Sequence, residues 1–345
     1  MELTNRVWKE FFIEDIFKIK SGKRLTKADM VSGNIPFIGA TDSNNGITEF
    51  IANKNTSLDK NVLGVNYNGS VVYNFYHSYE AVFSDDVKRL SFKEIEGNKY
   101  TFLFVKALIL QQKSKYEYGY KFNGERMKRQ KILLPINSKG KPDYAFMENY
   151  MKQKETELLE KYENYVSLSE QNIKLNSEVE WKEFKIGNVF SVSTGALLPK
   201  DILKKGKIAR LTATDNNNGI FEFYEPVSHK NYREISNFIS ISFLGSVFYH
   251  PYRASLDMKI HAVQTPNLEL NKYIAEFLVF CFKRMASVSS YGNQLSSTDL
   301  PKKKILLPIN NNGQPDFIYM ENYMKALETR KLKQYLQYKK LKTTN

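Results

Sequence analysis

Residues 131–165, KILLPINSKGKPDYAFMENYMKQKETELLEKYENY, are written a second time as residues 304–338, KILLPINNNGQPDFIYMENYMKALETRKLKQYLQY, at a shift of 173 positions. The same shift carries Trp8-Lys9-Glu10-Phe11 onto Trp181-Lys182-Glu183-Phe184, Gly22 onto Gly195, Ala40-Thr41-Asp42 onto Ala213-Thr214-Asp215, and Tyr118-Gly119 onto Tyr291-Gly292. A period this long exceeds a solenoid repeat and is close to the length of one domain. The chain is a tandem duplication: two copies of one domain, each followed by a helix.

Reading outward from the repeat, Asp143 and Asp316 close Gly-Lys-Pro-Asp and Gly-Gln-Pro-Asp turns and are placed to cap a helix, with Glu148 and Glu321 near its positive end. Met147, Tyr150, Met151, Leu158, Tyr162 and Tyr165 in the first helix, and Met320, Tyr323, Met324, Leu327, Tyr335, Tyr338 and Leu341 in the second, recur every three or four residues. Such a stripe needs a partner, and pairing the two helices in an antiparallel coiled coil buries both at once. Packing of each helix on its own domain is the alternative.

Upstream, residues 8–20 and the copy WKEFKIGNVFSVS read as a short strand running into a turn at Gly22 or Gly195. The loops TDSNNGI (41–47) and TDNNNGI (214–220) end in Asn-Gly, a tight-turn signal between strands, although their Asp and Asn side chains also suit bases or a metal. Residues 61–77 and 237–252 are rich in β-branched and aromatic residues and share Gly-Ser-Val at a shift of 176, so an insertion of about three residues lies nearby. Helices are expected over about Tyr100–Lys113 and Tyr273–Ala286. The expected fold is mixed α/β, two tandem domains with mainly β cores and an internal pseudo-two-fold. The boundaries fall at 1–142, 143–179 (first spacer helix and linker), 180–315 and 316–345 (second spacer helix).

Lys and Arg number 51 against 37 Asp and Glu, a net charge of +14 that favours a polyanionic partner, nucleic acid first and an acidic membrane surface second. Charge kept only for solubility is the rival reading. The N-terminus lacks the basic-then-apolar pattern of a signal peptide and no run of about 18 apolar residues occurs, which predicts a cytoplasmic protein. Cys281, the single cysteine, lies in the apolar run FLVFCFKRM and reads as a buried thiol.

Catalytic patterns are scarce. His77, His229, His250 and His261 have no metal-ligand spacing, and no glycine-rich phosphate loop is present. Asp86-Val87-Lys88 and Asp257-Met258-Lys259 fall at roughly equivalent places and match half of a nuclease metal site, without the upstream Pro-Asp that would complete it. The copies diverge most before the final strand, YGYKFNGERMKRQKILLP (118–135) against YGNQLSSTDLPKKKILLP (291–308). Arg126, Lys128, Arg129 and Lys131, and Lys302, Lys303 and Lys304, form basic runs suited to phosphates or to a solvated face. Residues that differ between copies are candidates for base choice: Lys23, Arg24, Lys121 and Arg126 in the first, and Arg210, Arg253, Asn293 and Gln294 in the second.

The run Gly292-Asn293-Gln294-Leu295, then Leu300 and Ile305-Leu306-Leu307-Pro308, within two diverged domains each closed by a Leu-Pro strand and a long helix, resembles the DNA-specificity subunit of type I restriction-modification systems. The first copy has Gly119 with Lys121 in place of the glutamine. The resemblance covers nearly the whole chain. It implies a non-catalytic subunit with two target-recognition domains, each reading half of a bipartite duplex site, and paired helices that dock an adenine methyltransferase and a restriction subunit. S-adenosylmethionine and Mg²⁺ would sit on those partners, with no cofactor on this chain. The compact length is similar to the specificity subunit of type IIB systems, whose partner fuses nuclease and methyltransferase. Helices of roughly 27 residues span about 40 Å, near one duplex turn, so the half-sites are expected about 10 base pairs apart.

Overall fold

In a computed structural model the described residues are 2–116, 119–173, 175, 178–287 and 294–344, with the side chains of 342–344 left aside. Asn293, Tyr118 and the Tyr291-Gly292 pair lie outside them. The chain divides into two compact units, Met1–Glu160 and Lys161–Asn345.

The first unit contains β1 (Trp8–Phe12), α1 (Ile13–Ile16), β2 (Phe17–Ser21), β3 (Ser32–Ile38), β4 (Ile47–Ile51), β5 (Leu58–Asp59), β6 (Val62–Asn66), β7 (Asn74–His77), β8 (Ala81–Phe83), β9 (Val87–Phe92), α2 (Lys99–Leu110), α3 (Gly124–Arg129), β10 (Lys131–Pro135) and the start of α4 (Tyr144–Asn172). One sheet has the order β2-β9-β6-β7, a second β4-β3-β8-β5, and β1 pairs with β10. The second unit repeats this with β11 (Trp181–Lys185), α5 (Ile186–Val189), β12 (Ser191–Thr194), β13 (Lys205–Leu211), β14 (Ile220–Tyr224), β15 (Glu234–Ile235), β16 (Phe238–Ser242), β17 (Val247–His250), β18 (Ala254–Leu256), β19 (Ile260–Gln264), α6 (Lys272–Ala286), β20 (Lys304–Pro308) and α7 (Phe317–Thr344). Its sheets are β12-β19-β16-β17, β14-β13-β18-β15 and β11-β20. The fold is mixed α/β, written twice.

Sequence and fold disagree at three places. The strand read over 8–20 is broken by α1, because Ile13 and Ile16, three apart and buried, both reach the core through one helical turn. Gly-Ser-Val is not equivalent in the two copies: Gly69–Val71 lie in the seven-residue loop 67–73 between β6 and β7, whereas Val247 opens β17 after the four-residue loop 243–246. The second unit regains three residues between β14 and β15, so two offsetting length changes restore the shift of 173. The Asp-x-Lys triplets are also out of step. Val87 and Ile260 start matching strands, which sets Asp86 against Lys259 and Asp257 against Ser84.

Each core is built the same way. In the first unit Phe102, Val105 and Ile109 of α2 pack on Leu63, Val65 and Leu90 of the β2-β9-β6-β7 sheet, with Met147 of α4 closing the end. Asp143 and Asp316 cap their helices as expected, Oδ1 accepting from Phe146 N (3.0 Å) and Tyr319 N (2.8 Å). Glu155 then accepts from Lys99 Nζ (2.6 Å) and Tyr100 Oη (2.8 Å), and Glu328 from Lys272 Nζ and Tyr273 Oη (both 2.8 Å). So each long helix does pack on its own domain at its N-terminal end.

Within the second unit, residues 161–172 of α4 run antiparallel to α7: Glu163 meets Lys340 at 3.0 Å and Glu170 meets Lys333 at 2.6 Å, a heptad apart in opposite directions. Tyr165 Oη donates to Glu328 (2.6 Å). The buried positions are Val166, Thr329 and Leu336; Tyr338 (51% exposed) and Leu341 (69%), assigned to the stripe from sequence, face solvent. The stripe drifts because a straight 3.6-residue helix does not hold a 3.5-residue pattern.

Candidate nucleic-acid interface

In the first unit the basic candidates gather at one surface around the strap 21–24. Gly22 approaches the β8–β9 turn so closely that a Cβ would lie 2.0 Å from the Ser84 carbonyl oxygen, which is why only glycine fits; Gly195 repeats this at 2.1 Å from the Asp257 oxygen. Lys23 N donates to Phe83 O, leaving its side chain exposed, and exposed Arg24 sits 3.8 Å from Asp85. A buried arginine fastens the strap from beneath: Arg89 donates to Ser21 O (2.7 Å) and Asp59 (2.9 Å). Lys88, next along β9, donates to Ser21 Oγ (2.8 Å), lies 4.6 Å from the Tyr67 ring, and approaches α3, where a Cβ on Gly124 would stand 3.9 Å from its Cε. Burial lowers the Lys88 pKa, against the opposite pull of Asp85 and Asp86.

Helix α3 mounts the basic run. Asn123 caps it, accepting from Arg126 N (3.0 Å), and Met127 plugs into the core, so the charged residues around it are turned away from the interior. Arg126 donates to Lys121 O (2.8 Å) and lies 3.7 Å over the Tyr120 ring, which stacks on Tyr116. The guanidinium is thus held rather than free to sample rotamers. Lys128 pairs with Glu125 (2.8 Å), and Arg129 is exposed. Lys131 is tied to Glu10 and Lys304 to Glu183 across the β1-β10 and β11-β20 ribbons, so both belong to the ribbon edge.

The second unit reaches a related surface with other residues. Arg210, taken from the sequence as a base reader, is only 4% exposed and donates to Asp257 (3.0 Å), Leu256 O and Ala196 O. It fastens the strap beside Gly195, the duty Arg89 performs in the first unit, and is corrected to scaffold. A charge this buried and paired cannot swing out to a groove without abandoning Asp257. Arg253 is exposed and paired with Glu234 (2.8 Å). Exposed Gln294 precedes Leu295, whose N donates to Phe243 O and whose carbonyl meets His261 Nε2 (3.0 Å), which sets Gln294 beside the loop 243–246. Lys259 lies 4.3 Å over the Phe243 ring, the counterpart of Lys88 over Tyr67 built from a different position. Exposed Lys302 and Lys303 ride on a 3₁₀ turn anchored by buried Leu300, as α3 is by Met127.

The sequence offered Lys88 only as part of an Asp-x-Lys triplet and did not bring out its pairing with Tyr67, nor that of Lys113 with Tyr73, because a lysine stacked on a tyrosine far away in the chain leaves no local pattern. The nuclease alternative loses its geometry. Asp86 accepts from Asn68 Nδ2 (2.9 Å), Asp257 is taken by Arg210, and among the described residues no group of three or more His, Cys, Asp or Glu is placed to hold a metal. Also among the described residues, no helix is long and apolar enough to cross a membrane.

Residues 5–164 and 178–337 each match the family model described as type I restriction modification DNA specificity domain, and the chain belongs to that family. Over 152 residues, 44% of this chain, it is 65% identical to the type II restriction enzyme BgcI specificity subunit S.BcgI of Heyndrickxia coagulans, and the match spans 45% of that protein's length. Weaker likeness extends to the S subunit of a type I restriction-modification system from M. genitalium (16% identity, TM-score 0.44, 98% of this chain and 94% of that one). The HsdS subunit from Thermoanaerobacter tengcongensis follows at 10% identity and TM-score 0.33, covering 96% and 90%.

Proposed function

We propose that the protein is the sequence-specific DNA-binding subunit of a cytoplasmic restriction-modification complex, each unit reading one half of a bipartite duplex site. The observation that carries the reading is the pairing of a duplicated specificity domain with basic, aromatic-backed surfaces at corresponding places that are made from different residues: Arg24, Lys88 and Arg126 in one unit, Lys259, Gln294, Lys302 and Lys303 in the other. Shared scaffold with divergent surface is what reading two different half-sites requires. Lysines supply phosphate contacts common to all sequences, while a guanidinium or amide held in one orientation discriminates base edges. Arg126, fixed over Tyr120, is assigned to guanine, and Gln294 to adenine.

The partners belonging to this reading are an adenine methyltransferase and a restriction subunit, or one chain fusing both, and S-adenosylmethionine and Mg²⁺ act there. The 65% identity over 152 residues to a specificity subunit of a type II restriction enzyme supports the type II form of this reading, to which the fused partner belongs by the resemblance drawn from the compact length. The test is competition between a selected duplex and random duplex for the purified protein in Mg²⁺. Preference for the selected duplex with the DNA left intact supports the reading; equal affinity makes the protein a general scaffold, and cleavage abolished by Asp86→Ala or Asp257→Ala makes it a nuclease.

A further inference from the structure

We propose that the loop 67–73 of the first unit is a specificity-determining element, contacting the DNA bases of that unit's half-site between two phosphate-binding lysines; the proposal rests on the DNA-specificity reading above. The hairpin itself does not need the loop's length. In the second unit strands β16 and β17 pair in the same register, Phe238 against His250 as Val62 against His77, across only four residues, 243–246. The three additional residues in the first unit therefore answer to something other than closing the hairpin.

The loop is also built rigidly. Asn66 Nδ2 donates to Thr41 O (2.8 Å) and Ser70 O (3.1 Å), Asn74 Nδ2 to Val72 O (3.0 Å), and Asn68 Nδ2 to Asp86 (2.9 Å). Tyr67 N and Ser70 N donate to Asp86 O and Ala40 O (both 3.1 Å). Val72 is fully buried at φ +70, a conformation a β-branched residue adopts only when its surroundings impose it, and such strain concentrates at functional sites. Loop 243–246 in the second unit contains no asparagine.

The bracing presents Gly69 and Ser70 at the tip. Gly69 is exposed, and the Ser70 hydroxyl has no hydrogen-bond partner among the described residues. A lysine paired with a tyrosine flanks the loop on either side: Lys88 lies over Tyr67, and Lys113 lies 4.3 Å over Tyr73 while donating to its hydroxyl (2.8 Å). Lys88 also joins this loop to the strap and to α3. A duplex seated on Arg24 and Arg126 would run past the tip, with phosphates within reach of both lysines.

The experiment is selection from a randomised duplex pool by the full-length protein and three variants. In the first variant Phe243-Leu244-Gly245-Ser246 replaces residues 67–73; the others are Ser70→Ala and Lys113→Gln. The first unit's half-site is marked as the one Arg126→Ala perturbs. The graft is expected to change or lose at least one base position there, about tenfold in discrimination, and to leave the other half-site intact. Ser70→Ala, which removes only a half-buried hydroxyl beside the exposed Gly69, repeats a smaller loss should the graft fail to fold. Lys113→Gln lowers affinity alike on all sequences and reduces the salt slope by about one. Wild-type discrimination at both half-sites in Ser70→Ala and in a folded graft overturns the loop assignment. Wild-type protein that enriches no sequence overturns the specificity reading itself, and the loop assignment with it.

Discussion

His77 and His250 occupy the same place in the two units and are fully buried, and burial lowers both from the ordinary 6.5 to about 4. Between pH 6.5 and about 4 the unfolded chain binds a proton at each position that the folded chain refuses, so stability is lost as the pH falls through that window. At pH 4.5 each histidine should cost its own unit roughly 2–3 kcal/mol, from 1.36 kcal/mol per pH unit over the two units below 6.5. His77→Phe removes the titration from the first unit at little cost at neutral pH, since Nε2 has no partner, Nδ1 meets only the hydroxyl of exposed Tyr79 at 3.3 Å, and the ring packs edge-on against Phe83 and Tyr79. His250→Phe, in contrast, strips Ser240 Oγ of a 2.8 Å bond and should cost about 1–3 kcal/mol at pH 7. The assay is urea denaturation at pH 7 and 4.5. Each unit has one tryptophan, Trp8 or Trp181, so a Trp181→Phe background reports on the first unit and a Trp8→Phe background on the second. Comparing His77→Phe with its parent cancels the carboxylates common to both. If the first unit loses as much stability in acid in the His77→Phe variant as in its parent, the buried histidine is not the source and the reasoning fails.

Arg210→Ala should lower the stability of the second unit by about 3 kcal/mol, by orphaning Asp257, while the selected DNA sequence stays the same; a relaxed base position with unchanged melting would return Arg210 to the readers. Gly64 stands where the second unit has Ser240, and a Cβ there would lie 3.0 Å from His77 Nε2 and 3.2 Å from Phe83. Gly64→Ser alone should gain no thermal stability. With Phe83→Leu, the residue type of the second unit, it should be more stable than Phe83→Leu alone by about 1 kcal/mol as the orphaned nitrogen finds its hydroxyl. If the long helices set the distance between half-sites, inserting seven residues after both Leu158 and Lys331 adds about 10.5 Å and widens the unspecific gap by about 3 base pairs; selection of the original gap by the lengthened protein would remove that role from them.

The duplication, the turns at Asn45-Gly46 and Asn218-Gly219, the capping aspartates and both core helices were legible because each is a local pattern repeated at a fixed shift. Asn45 and Asn218 adopt positive φ as the Asn-Gly signal requires. What escaped was set by partners distant in sequence. Arg210 reads as a free, divergent arginine until β13 places it against Asp257, and Lys131 joins a basic run until the ribbon brings it to Glu10. The Gly-Ser-Val match shows the opposite failure, identical residues at inequivalent places, because one of the two offsetting three-residue length changes falls in the loop 67–73 that carries the tripeptide in the first unit. For the site, the sequence located the basic run carried by α3 and could not show that Tyr120 and Lys121 hold Arg126 still.

Two copies of one fold reading two different sequences on one duplex leave a bipartite signature in the DNA they select. Selection from a randomised duplex pool by the full-length protein tests it directly, with Arg126→Ala and Gln294→Ala run beside it. Two short enriched blocks around an unspecific gap are expected, with Arg126→Ala relaxing one base of one block and Gln294→Ala one base of the other, each at about 1–3 kcal/mol. A single contiguous block, no enrichment, or two variants that weaken binding equally on every sequence would contradict this reading.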